Sequence, residues 1–317
     1  MPPRPDQKRR LKEERLGREH AVAASERRRR RLGYAAAVAL VAVLAVVLLV
    51  QTGGEQGESP GGSASAGEGP VHIHGLGVNP RDGALFIATH TGLFRLAKDQ
   101  ARAERVGQGS QDTMGFTVVG PDRFLGSGHP GELASGPPLL GLIDSRDGGR
   151  SWTPVSLSGE ADFHLLRASG ARVYGADSSS GRFLASSDEG RSWSEREPPG
   201  DMVDLAIDPR DGRRLVASNQ SGLLASEDEG RTWRPLGRAP VGLLSWAAEG
   251  SLFHVDADGR VQASSDDGLS WQPRGSVGTQ PAVFGAADER SLYAALPDGT
   301  VMASSDGART WTARSRP

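Results

Sequence analysis

The chain has 317 residues, a formal net charge of −2, 43 glycines and no cysteine. The missing cysteine excludes disulfides, thiolate metal sites, cysteine nucleophiles and lipoprotein acylation. Abundant glycine with few aromatic side chains suits short strands and many turns rather than long helices.

Residues 1–31 hold 12 Lys/Arg and 5 Asp/Glu and close on the run Arg27–Arg31. Residues 32–50 (LGYAAAVALVAVLAVVLLV) then carry no charge. At about 1.5 Å per residue that stretch is long enough to cross a bilayer core. The expected arrangement is a basic cytoplasmic tail, one transmembrane helix at 32–50, and everything beyond it on the extracytoplasmic side of the cell membrane. A small-x-small cleavage site does not follow closely, since Ala64-Ser65-Ala66 lies too far downstream. An uncleaved anchor is therefore expected over a signal peptide. The tail contributes +7 to a total of −2, so residues 32–317 carry −9. An ectodomain of that sign is not expected to bind nucleic acid. Residues 51–70 (QTGGEQGESPGGSASAGEGP) lack large apolar side chains and read as a flexible linker.

Within residues 71–317 one pattern, Ser-x-Asp-x-Gly-x-Ser/Thr-Trp, occurs five times: Ser145–Trp152, Ser186–Trp193, Ser226–Trp233, Ser264–Trp271 and Ser304–Trp311. The spacing of about 40 residues is that of one four-stranded propeller blade. A first unit, Val71–Gly109, has the strand grammar without the pattern: VHIHGLGVNP, GALFIATH and TGLFRLA. The prediction is an all-β, six-bladed β-propeller, each blade running from strand A at the axis to strand D at the rim. Strand A is expected to begin near His72, Met114, His164, Met202, Leu243 and Ala282, with no strand exchanged between the termini.

The repeated turn has a structural explanation. Asp147, Asp188, Asp228, Asp266 and Asp306 can accept backbone N–H groups of their own turn, while the glycine takes a conformation a β-carbon penalises. Trp152, Trp193, Trp233, Trp271 and Trp311 then open strand D and pack on the blade, each burying roughly 150–250 Å². In the fifth copy Ala308 replaces the glycine, and a distorted turn is expected there. This pattern resembles the BNR or Asp-box repeat of sialidases, sortilin-type receptors and photosystem II assembly-factor-like propellers. VHIHGLGVNP and QDTMGFTVVGPDRFLGSGHP also resemble a bacterial group of membrane-anchored propellers labelled glycosylhydrolase-like. The resemblance covers about residues 71–317. It implies the propeller fold but not the function, because the same turn serves enzymes and binding scaffolds alike.

Aligned strands A put His72, Asp112, Asp162 and Asp201 at one ring position. His74, Met114, His164 and Val203 follow two residues on, on the same strand side. The B–C loops add His90, His129, Asp177 and Asn219 at the same end. His254 is placed apart, near the B–C turn of blade five. Five histidines thus converge on one channel mouth. His72, His74, His90, His129 and His164 are candidate metal ligands, with Asp112, Asp162 and Met114 completing a ligand-binding set. Imidazole and carboxylate suit zinc, and adding Met114 suits copper. A wet polar channel without metal is the plainer alternative. A glycoside hydrolase would draw two carboxyls about 5–10 Å apart from Asp112, Asp162 and Asp201. Sialidase hallmarks are missing. The nearest phrase, Phe94-Arg95-Leu96-Ala97, lacks proline and falls on strand C, and Tyr174 and Tyr293 fall in strand B patterns. Three readings stay open: a domain binding a small ligand, metal or protein partner at the mouth; a hydrolase; and an interaction scaffold.

Overall fold

A computed structural model describes residues 69–107, 109–131, 136–237 and 240–317. The basic tail, the expected transmembrane helix and residues 51–68 of the linker lie outside the described residues. Within them, six sheets of four strands each are formed. Every sheet consists of four consecutive antiparallel strands, so the chain completes one blade before starting the next. The molecule is a six-bladed β-propeller, and no strand is exchanged to close the ring.

Strands A are Ile73–Val78, Asp112–Gly120, Phe163–Ser169, Met202–Ile207, Gly242–Trp246 and Val283–Ala286. All six line a central channel of about 570 Å³. Burial follows the distance from the axis. Strands B lie between neighbouring blades, and Leu85–Thr89 and Leu215–Asn219 are buried at every position. Strands D form the rim and are short and exposed, as Glu104–Arg105 and Arg234–Pro235 illustrate. Short charged edges of this kind discourage pairing with another chain.

The inner edges are satisfied across blades. The Phe163 N–H donates to Ser127 Oγ (3.0 Å), Leu244 N–H to Asp204 Oδ2 (2.8 Å) and Ala286 N–H to Ser245 Oγ (2.8 Å). A strand A therefore leaves few orphaned donors where it turns away from its own sheet. Apolar clusters also bridge blades: Leu125 and Leu142 of blade two pack with Phe163, Leu166 and Leu184 of blade three. The seam between the first and last blades uses the same device, with Ile73, Leu85 and Ile87 against Ala295 and Val301. Arg314 reinforces it by donating to the carbonyls of Ala97, Gln100 and Lys98, the last at 2.9 Å.

All five patterned turns join strands C and D and share one hydrogen-bond scheme. In the second copy Asp188 Oδ1 accepts the Ser192 N–H (2.9 Å) and Oδ2 accepts the Ser192 hydroxyl (2.6 Å). Ser186 Oγ donates to Asp188 (2.7 Å) while accepting the Gly190 N–H (2.9 Å). Four of the five turns also dock on the A–B hairpin of their own blade, as Glu189 N–H does on Ala171 O (2.8 Å). These turns consequently crowd the end of the ring opposite the B–C loops.

The expected distortion at Ala308 does not occur. Ala308 keeps the glycine's place at φ +65°, and its N–H reaches Ser304 Oγ at 2.9 Å as in the other copies. The reason is local space. A β-carbon at Gly190 would lie 2.0 Å from Leu142 of the preceding blade, and one at Gly149 would lie 2.2 Å from Leu93. Blade five offers the smaller Val261 at that strand C position, and Ala308 fits into the same cluster fully buried.

Candidate metal centre

Strand A of blade one opens at one end of the channel. His72 precedes it in the left-handed region, with φ +51°, a conformation uncommon outside glycine. His74 lies two residues on, half-buried, and lines the channel. The hairpin turn after strand B (Leu85–Thr89) brings His90 over them. The His74 and His90 rings are 4.2 Å apart, edge to face, and those of His72 and His90 are 5.6 Å apart. Blade two adds Asp112, the first residue of its strand A. Its Oδ1 lies 2.8 Å from His90 Nδ1. Yet Asp112 Oδ1 and His74 Nε2 are buried without a hydrogen-bond partner, so the His90–Asp112 approach is close but not aligned as a hydrogen bond. One atom each from His74, His90 and Asp112 forms a group within 4.8 Å. Burial, first, and the adjacent His90 push the His74 imidazole down to about 4, with Asp112 opposing them. His74 is therefore neutral, with a lone pair to offer, at physiological pH.

A second group forms one blade further on. His129 ends strand B of blade two (Arg123–His129), and Asp162 and His164 flank the start of strand A in blade three. Asp162 Oδ2 lies 2.9 Å from His164 Nε2 and 3.5 Å from His129 Nε2. His129 Nδ1 is 2.9 Å from the Pro138 carbonyl. That carbonyl accepts only, so Nδ1 carries a proton, and Nε2 is the atom turned toward Asp162. Asp162 itself is buried. Its N–H donates to Asp177 Oδ1 (3.0 Å), and Ser178 Oγ donates to its Oδ2 (2.9 Å). Burial pushes the Asp162 carboxyl upward, but the hydrogen bond and charge of His164, with Ser178 and His129, outweigh it and hold it below the usual range. Asp162 Oδ1 has no partner.

His74, His90 and Asp112 meet, and so do His129, Asp162 and His164, but as two groups rather than one. His72 stands beside His90, outside either group. Met114 lies in strand A of blade two, two residues past Asp112. Asp201 is exposed and belongs to neither group. Asp177 and Asn219 belong to neither group and brace the backbone instead: Asp177 accepts from the Asp162 N–H, Ser179 and Arg182, and the Asn219 amide donates to the Pro199 carbonyl. His254 stands apart from both groups. It lies inside strand B of blade five (Leu252–Asp256), fully buried, with Nε2 2.9 Å from Pro240 O. Pro138 and Ser178 were not foreseen. A backbone carbonyl leaves no sequence signal, whereas Ser178 follows Asp177 directly in the B–C loop and could have been suspected.

No family model matches the chain, and no curated protein matches it. Solved structures do. A GH74 enzyme from Niastella koreensis aligns with 77% of this chain at 12% identity and TM-score 0.56; the aligned part is 45% of that enzyme. A nidogen/laminin complex aligns over 72% of this chain and 91% of its own, at 14% identity and TM-score 0.57. YCF48 bound to a D1 peptide aligns over 77% and 81%, at 17% identity and TM-score 0.48. The first two likenesses, at such identities, show the shared fold and nothing finer.

Proposed function

We propose that this chain is a membrane-anchored, extracytoplasmic propeller of the BNR or Asp-box type that binds a transition-metal ion, zinc or copper, at its channel mouth. One observation carries the reading: imidazole and carboxylate atoms gathered within 4.8 Å, several buried and unpartnered. A buried polar group without a partner costs on the order of 1–3 kcal/mol, and a cation would relieve it. The lowered His74 pKa leaves a neutral imidazole, the form that binds metal, and the tether of His129 to Pro138 turns its Nε2 toward Asp162. The anchor and the side of the membrane rest on the uncharged run 32–50 and its basic flank.

A hydrolase at the same mouth needs a second carboxyl that stays protonated near neutral pH; Asp162, held below the usual carboxylate range, fits only the ionised role. The test is metal content. The full-length protein is expected to retain zinc or copper after dialysis, and His74→Ala/His164→Ala to retain none. A metal-free wild type that takes up neither ion defeats the reading.

A further inference from the structure

Building on the reading of the mouth as a metal site, we infer that it holds two ions, one in each triad, rather than one ion shared among all the histidines. The two groups share one pairing and differ in their third ligand. In each, a histidine at the end of strand B or in the turn after it faces an aspartate at the start of strand A in the next blade: His90 with Asp112, then His129 with Asp162. The propeller step repeats the pair one blade on. The third ligand comes from strand A, two residues past its first ring position: His74, on the blade of His90, in the first triad, and His164, on the blade of Asp162, in the second. Met114 occupies the intervening register in blade two. The series stops at blade three, whose B–C loop offers Asp177 in place of histidine and whose successor offers the exposed Asp201.

Distances fit this division. Zinc–nitrogen and zinc–oxygen bonds of about 2.0–2.2 Å place ligand atoms roughly 3–4 Å apart around one ion. Each triad gathers its three ligand atoms to within 4.8 Å by itself, close enough for small side-chain shifts to complete that geometry. Each also has its own buried atoms without hydrogen bonds: His74 Nε2 and Asp112 Oδ1 in the first, Asp162 Oδ1 in the second. A single ion in either place would leave the other set unrelieved. Two nitrogens and one oxygen suit a borderline divalent cation such as zinc. Three protein ligands leave a coordination position open to water or an exogenous ligand.

The experiment titrates the full-length protein in detergent with zinc alone, removes loose metal by dialysis against a weak chelator, and counts the bound equivalents. His90 and His164 are exposed, so His90→Ala and His164→Ala can be made without emptying the core; circular dichroism and thermal melting verify their folding. The expected result is two equivalents in the wild type, one in each single variant and none in the double variant. One equivalent in the wild type, lost in either single variant, overturns the two-ion assignment while leaving the single-ion reading intact. Two equivalents persisting in the double variant also overturn it. No zinc in the wild type, with no copper in a parallel titration, overturns both readings.

Discussion

At the scale of single residues, the blade-to-blade fit is decided by whether a methyl group has room. Gly190→Ala adds a β-carbon at φ +81° and 2.0 Å from Leu142. Left-handed strain of about 1–2 kcal/mol adds to overpacking of about 1–3 kcal/mol, so a loss of roughly 2–5 kcal/mol is expected in denaturant unfolding. Ala308→Gly relieves comparable strain but removes a buried methyl and loosens the unfolded chain. These terms nearly cancel, and a change within about 1 kcal/mol is expected. Equal effects in the two variants would contradict the packing argument. The same contrast shows what sequence could convey. Ala308 stood out as a departure from the pattern, but its consequence depended on Val261 in another blade. Likewise the mouth histidines were readable from strand alignment. Their division into two triads depended on side-chain positions across blades, and the tether of His129 depended on a backbone carbonyl.

At the scale of the element, the patterned turn is an ionised knot. The Ser192, Ser270 and Thr310 hydroxyls, foremost, with the backbone N–H groups of the same residues, push Asp188, Asp266 and Asp306 down to about 2; for Asp228 the Thr232 N–H leads. Their ordinary value is 3.8. A carboxyl with a lower pKa in the folded state stabilises fully above its unfolded value, and that contribution drains away as pH falls through the folded one. Melting temperature should therefore drop between about pH 4 and pH 2. Replacing all four aspartates by asparagine should flatten that slope. An unchanged slope would mean the acid sensitivity lies elsewhere. The turn was legible beforehand because its partners are all within eight residues of one another. Blade one was recognised without it because strand alternation and the turns Pro80–Gly83 and Thr91-Gly92 carry the same grammar. His254, two residues before the end of strand B, is buried, and what sequence could not convey is the Pro240 carbonyl that meets its polar atom inside the core.

At the scale of the whole molecule, topology can be tested directly because the chain has no cysteine of its own. A single Ser59→Cys in the linker should react with a membrane-impermeant maleimide on intact cells, and Ser25→Cys in the basic tail should react only after lysis. The opposite pattern would reverse the proposed orientation. The ring itself has a property its linear order conceals. Gly69 and Pro317 are neighbours: a β-carbon on the glycine would stand 2.7 Å from the proline's carbonyl carbon. No sheet borrows a strand from another, and the closing seam is held by side chains. A gene for residues 69–317 opened between any two blades, with Gly69 joined to Pro317, would encode the same circle of modules. Circular permutants of the ring are thus an available route for moving a fusion partner around the rim.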